Sequence, residues 1–241
     1  MLLAAIVSAI AGRPGNKKQN PLQQSIISEF ESQFPIADYE TQDTLSPEAR
    51  AVRQLRSSKF DKSSQAIDPK VEAEVTTDLS HWGAELSALP VDKSSGVIVG
   101  EVTDTKAYLS NDKTGVYSEF TLQVDKVLKD DSKQLSVGCS ILIARSGGRV
   151  RFSTGRIGQF YTAGQGMPRV GQQYVLFLSG SQEQKYFYLL TGYELREGHV
   201  LLLDNPGSRH PITAYKGKDE LSLLKDIQAA IAKTSQATPD R

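Results

Sequence analysis

From Val97 onward the apolar residues fall in short runs separated by turn chemistry, which predicts antiparallel strands. Val97-Ile98-Val99-Gly100-Glu101-Val102 opens the first strand, which continues to about Tyr108, with Gly100 marking a bend or a close backbone approach. Ser110 to Gly115 is a turn cluster in which Asn111 and Asp112 can bond their own backbone and Gly115 is free to take positive φ. The next strand alternates. Val116, Phe120, Leu122 and Val124 point one way and Tyr117, Glu119, Thr121, Gln123 and Asp125 the other, one face for a core and one for water. Val127 and Leu128 break the alternation, so a bulge is expected near Lys126. Further strands are predicted at Ile141–Ala144, Val150–Phe152, Ile157–Tyr161, Tyr174–Leu178, Tyr186–Leu195 and Val200–Leu203, with Gly147-Gly148 as a two-residue hairpin turn. Six to eight short strands at this spacing make a small barrel or sandwich, and closure into a barrel removes exposed edges.

Helical spacing appears on both sides of this region. Ile26, Ile27, Phe30 and Phe34 recur at helical intervals until Pro35 stops the run. Ser46-Pro47-Glu48 opens a second helix, with Ser46 as N-cap, Pro47 at the tolerated first position and Glu48 at the positive end. It should run to about Ser58 and set Ala49, Val52 and Leu55 on one side. Arg50, Arg53 and Arg56 form a basic flank, open to reading as a phosphate or partner contact and taken here as a solvated face. Lys59 to Pro90 has no sustained period and reads as an extended arm lying on the strand domain, anchored by Trp82, Leu86 and Leu89. Trp82 as a ligand-stacking residue is the alternative. At the C-terminus Leu221, Leu224, Ile227 and Ile231 form the stripe of an amphipathic helix from Asp219 to Lys233, suited to packing on the barrel or, alternatively, to a partner.

The expected organisation is therefore a segment 1–22, a helical and irregular arm 23–96, a barrel 97–215, and a C-terminal helix with tail 216–241. Met1 to Gly12, MLLAAIVSAIAG, has the length of a signal-peptide core and Ala9-Ile10-Ala11 fits a cleavage pattern, although no basic residues precede it. A truncated export signal is expected, which places the protein in the periplasm, the envelope or outside; an inconsequential apolar terminus in a cytoplasmic protein is the alternative. No transmembrane segment is predicted, and a monomer is expected.

Charge and composition change this picture only locally. The chain holds 28 Lys+Arg and 28 Asp+Glu, which argues against a dedicated nucleic-acid binder. The zero is an average: residues 1–96 carry 13 acidic and 10 basic side chains, and residues 97–241 carry 15 and 18. One cysteine forbids an internal disulfide and every Cys-rich metal site. His81, His199 and His210 are far apart, with no HExxH or CxxC, so no metal or other cofactor is expected. No G-x-S-x-G occurs, and Cys139 reads as a small buried residue. Glu101 and Asp104 are an odd number of residues apart and cannot share one face of an unbroken strand. The run Gly164-Gln165-Gly166-Met167-Pro168-Arg169-Val170-Gly171 superficially evokes a phosphate loop, but it lacks the Lys-Ser/Thr pair and reads as a special loop at the barrel mouth. The strongest functional signal lies between Asp131 and Glu183, where no acidic residue occurs while Arg145, Arg149, Arg151, Arg156 and Arg169 accumulate among aromatics such as Tyr161. Arg149 and Arg151 share a strand face. These six residues are the candidate site for an anionic ligand or partner, with single-stranded nucleic acid as one possibility.

The runs Val97-Ile98-Val99-Gly100-Glu101-Val102, Phe120-Thr121-Leu122-Gln123-Val124-Asp125-Lys126-Val127-Leu128-Lys129 and Gly171-Gln172-Gln173-Tyr174-Val175-Leu176-Phe177-Leu178 together resemble uncharacterised exported bacterial proteins. The pattern is similar to OB-like barrels of the netrin-module and metalloproteinase-inhibitor type. The resemblance covers about half the chain and its motifs are core residues, so it implies a fold: a mainly β chain with a small antiparallel barrel, an N-terminal helical arm and a C-terminal amphipathic helix. The disulfides of netrin modules are absent, as is the N-terminal cysteine by which the inhibitors chelate metal, so protease inhibition by that route is not implied. The expected function is non-enzymatic binding at the cell envelope or outside; polyanion binding and a hydrolase or inhibitor with a scattered site are the alternatives.

Overall fold

The computed structural model describes residues 34–40, 45–61, 85–180 and 186–236, and the backbone of 75–78. The expected signal segment, the linker to residue 22, the first helix except Phe34, and Trp82 lie outside the described residues. In chain order the elements are β1 (Ile36–Asp38), α1 (Pro47–Ser57) continued by a 3₁₀ turn Ser58–Phe60, β2 (Val75–Asp78), β3 (Gly96–Leu109), β4 (Val116–Asp130), β5 (Ser140–Ser146), β6 (Gly148–Arg151), β7 (Ile157–Thr162), β8 (Gln173–Ser179), β9 (Phe187–Arg196), β10 (His199–Leu202), a 3₁₀ turn Pro211–Tyr215, and α2 (Glu220–Gln236). Among the described residues no helix is long and apolar enough to cross a membrane.

The contiguous apolar runs explain the central architecture. In Val97-Ile98-Val99 and Tyr174–Leu178 every residue is buried, which requires strands covered on both faces. One face meets the interior of a ring in which β3 pairs with β4, β4 with β5, β5 with β9, β9 with β8 and β8 again with β3. Numbered along the chain, the five ring strands follow the order 1-2-3-5-4-1, that of an OB-type barrel. All the ring pairings are antiparallel except β5–β9, which is parallel and short, joining Ile143 to Phe187 and Ala144 to Tyr188. Ile98, Val102, Phe120, Leu122, Ile143, Leu176 and Leu178 fill the interior, with Phe34 from the arm among them. β10 extends β9 outside the ring.

The opposite face of β3, β8 and β9, carrying Val97, Val99, Val175, Phe177 and Tyr193, is covered by Leu223, Leu224 and Ile227 of α2. The C-terminal helix therefore packs along the barrel. Asp219 caps it, its Oδ1 accepting from Ser222 N at 2.8 Å. Leu221 is not part of the packed stripe, being 79% exposed; it lies in the first turn, around the helix from the line 223-224-227 along which the contact runs.

The bulge expected near Lys126 is present as two register shifts, skipping Asp125 and Leu128, and a third skips Thr103 on β3. Two turn expectations differ. In the β3–β4 turn the left-handed residue is Lys113 (φ 54°), whereas Gly115 is needed because a Cβ there would stand 2.6 Å from the Phe60 carbonyl. Gly147-Gly148 is a corner, not a hairpin: β5 stays in the barrel while β6 leaves it to pair with β7 in a second sheet, ordered β1-β6-β7-β2. Both outer strands of that sheet come from the N-terminal arm and run parallel to their neighbours. The sheet packs through Ala37, Val150 and Phe152 onto Ala107 and Val116 at the far end of the β3–β4 hairpin.

The glycine-rich stretch after β7 is clamped against the end of β10. Gly164 O accepts from Asn205 N (2.8 Å), Gly166 N donates to Asp204 Oδ1 (2.7 Å), and Arg145 donates to Gly166 O (2.6 Å). A Cβ on Gly166 would overlap the Leu203 carbonyl. Its glycines serve close packing. Gly166→Ala is expected to lose about 3 kcal/mol in urea unfolding, the upper range for overpacking. Gly171→Ala, at φ 77° with no atom within 4 Å, should lose only the left-handed strain, about 1 kcal/mol. Equal losses at both positions would contradict the clamp.

Candidate interaction site

Helix α1 is built as its sequence dictates: Ser46 Oγ accepts from Ala49 N (3.3 Å), Pro47 starts the first turn and Glu48 follows. Its orientation reverses the expectation. Val52 and Leu55 are 50% and 63% exposed, while Arg56 and Ser57 are buried. Of the basic flank, Arg56 is buried and Arg53 half-buried, while Arg50 stays exposed. The cause lies in the receiving surface, which offers tyrosine rings and a carboxylate instead of aliphatic side chains.

That surface is the outside of the barrel where β4, β5 and β9 begin or end. Tyr117 and Glu119, expected to face water, are 0% and 6% exposed because α1 and the turn after it lie over them. Arg56 Nε donates to Glu119 Oε1 at 2.6 Å in a nearly dry contact. The Arg53 guanidinium sits 4.4 Å from the centre of the Tyr108 ring, that of Arg56 5.3 Å from Tyr186, and the Lys59 ammonium 3.8 Å from Tyr188. A cation over an aromatic face is attracted by the ring quadrupole, more strongly where water is excluded. The 3₁₀ turn then delivers Phe60, stacked on Tyr117 at 4.5 Å with planes 3° apart, and tilted against Tyr188 at 5.9 Å.

Hydrogen bonds fix the end of the helix. Asn111 of the β3–β4 turn donates to Gln54 O (2.8 Å), which also accepts from Ser58 N; Tyr188 OH donates to Arg56 O (3.4 Å) and Ser57 Oγ to Leu109 O (3.5 Å), serving carbonyls at the helix C-terminus and the strand end. Asp112 N donates to Asp61 Oδ1 at 3.2 Å just beyond. Burial pushes the Tyr117 hydroxyl up, with the Glu119 charge adding to it; burial raises Tyr108 likewise, and burial with the neighbouring Tyr186 raises Tyr188. All three remain neutral phenols, the form that offers a π-face to a cation. The Tyr117 hydroxyl is wholly buried beside Ser57, whose hydroxyl partly offsets the rise while Ser57 Oγ donates to Leu109 O.

The six residues singled out by sequence do not form one surface. Arg145 is 2% exposed and faces Asp204, itself fully buried, at 2.9 Å; it also donates to Leu190 O, and Thr191 Oγ1 donates to the same Asp204 carboxylate. Arg169 is held by both oxygens of Glu194 (3.0 and 2.8 Å). Arg145 is enclosed in the fold, and Arg169, its side chain 31% exposed, is tied to the Glu194 carboxylate. The acid-free stretch is acid-free only along the chain, because Glu194 reaches it from β9 and Asp204 from the segment just after β10. Arg149, Arg151, Arg156 and Tyr161 belong to the second sheet and its hairpin. There Arg149 Nε donates to Phe34 O (2.9 Å), Arg151 meets Asp38 at 3.4 Å, and Tyr161 lies 6.3 Å from Phe34. Arg149 and Arg151 do share a face, opposite Gln159 and Ile157.

Among the described residues no group of three or more His, Cys, Asp or Glu is placed to hold a metal ion. His210 caps the 3₁₀ turn by accepting from Ile212 N (3.3 Å), and His199 pairs in a bridge with Asp219, whose carboxylate is held by Ser222 and lies below the ordinary carboxylate range for that reason.

Arg56→Ala is expected to destabilise the chain by about 3–5 kcal/mol, because Glu119 is left buried and unpaired. Arg56→Met combined with Glu119→Leu should recover most of that loss in denaturant unfolding, since removing both charges also removes their desolvation cost. A double variant no more stable than the single would contradict the pairing.

No family model matches this chain, and no curated protein matches it. The function has to be argued from the site.

Proposed function

We propose that this chain is a non-enzymatic interaction protein of the bacterial cell envelope or exterior, working through the tyrosine-lined side of its barrel. One observation carries the reading: Tyr108, Tyr186, Tyr188 and Glu119 together grip three cations of one continuous segment, α1 and the 3₁₀ turn that follows it. In OB barrels the second and third strands, with the loops joining strands one to two and four to five, form the ligand-binding side. The matching parts here are β4, β5, the turn at 110–115 and the approach to β9, and these are the parts that hold α1. Tyrosine, flat and amphipathic, suits a surface that binds protein segments at low entropic cost.

Export rests on the Met1–Gly12 sequence, and the netrin-type resemblance gains support from the ring order alone. Polyanion binding would fall to the second sheet and its hairpin, which carry Arg149, Arg151, Arg156 and Tyr161; no geometry there favours it over the barrel side.

The test is a photo-crosslinking amino acid placed in the full chain, in its native host, at Tyr108, at Thr103 on an exposed part of β3, or at Arg151. A discrete adduct at Tyr108 and none at Thr103 is expected. Adducts confined to Arg151 would move the working surface to the second sheet, and adducts at none of the three would overturn the proposal.

A further inference from the structure

We infer that α1 is a built-in occupant of a groove made for a cationic helical segment, and that a partner carrying arginine or lysine at every third position followed by an aromatic residue takes its place. This rests on the barrel side being the working surface. Two features point to replacement. The grip is specific in spacing: Arg53, Arg56 and Lys59 recur every three residues and each meets its own ring, with Arg56 also on Glu119, and Phe60 closes the series on Tyr117. Second, α1 buries none of its larger apolar side chains, leaving Val52 and Leu55 in water. Its seat therefore depends on cation–ring and ion-pair contacts, which another basic helix can reproduce, and not on aliphatic packing that only its own sequence fits. Charge complementarity sets the partner class: a carboxylate framed by neutral tyrosines rejects an acidic segment and accepts a basic one.

A fluorescent peptide copying residues 45–61 serves as probe, titrated into the full chain as wild type and as Phe60→Ala, which loosens the internal occupant. Binding at least tenfold tighter to Phe60→Ala than to wild type is expected, with at least a tenfold loss when Glu119→Gln is added and a similar loss when the peptide carries Arg56→Ala. No binding to a Phe60→Ala chain that retains its circular dichroism spectrum would overturn the inference. Were Phe60→Ala unable to fold, hydrogen exchange of the wild type with excess peptide decides: amides of 47–57 should lose protection, and unchanged protection would overturn it. A wild-type dimer abolished by Glu119→Ala would assign the groove to a second copy of the chain and also overturn it. An adduct at Tyr108 together with failure of the peptide would leave the barrel side as the working surface and remove only this choice of partner.

Discussion

Closing five strands into a ring buries one face of each and leaves the other to be covered, and the rest of this molecule is arranged around that requirement. β8 closes the ring by pairing with both β3 and β9. On the side of β3, β8 and β9 the outward residues are Val97, Val99, Val175 and Phe177, and the C-terminal helix answers with Leu223, Leu224 and Ile227. On the opposite side the outward residues of β4 and β9 are Tyr117, Glu119 and Tyr188, and α1 with the 3₁₀ turn after it answers with Arg53, Arg56 and Lys59. The same problem is solved once with aliphatic area and once with charge on aromatic rings.

The two solutions differ in what they confer. Aliphatic burial is non-directional and grows with area. An ion pair taken out of water gains little net stability, since desolvation offsets most of the attraction, yet it penalises any arrangement that leaves one partner alone. Arg56 on Glu119 fixes the register of α1 more than it strengthens the fold. The pair Arg145–Asp204 does the same deeper inside, pinning the 164–169 loop to β5 and to the end of β10. Both pairs place specificity where the chain changes direction or layer.

Strand positions were legible because burial on two faces leaves an unbroken apolar run and burial on one face leaves alternation. The C-terminal helix was legible for a related reason, though Leu221 misled because an apolar residue in a first turn need not lie on the packed line. What failed had a common cause: sequence shows neighbours along the chain and not those brought by the fold. Gly147-Gly148 has the composition of a hairpin turn, and only the pairing partners of β5 and β6 reveal a corner. The acid-free run around Arg145 looked like an open basic surface, but Glu194 arrives from β9 and Asp204 from just beyond β10. In α1 both an apolar and a basic side were visible, and aliphatic packing was assumed to win. The clue that could have reversed the choice was the outward side of β4, where Tyr117 and Glu119 stand two residues apart, a partner surface suited to arginine.

The central claim is that cations, not aliphatic side chains, hold α1 on the barrel. Hydrogen exchange of the amides in 47–57 tests it directly, comparing Val52→Gln with Leu55→Gln against Glu119→Gln. Protection unchanged in the first two and lost in the third, with the amides of β3 and β8 still protected, is the predicted result. Protection lost on replacing Val52 or Leu55, and kept on replacing Glu119, would contradict the account.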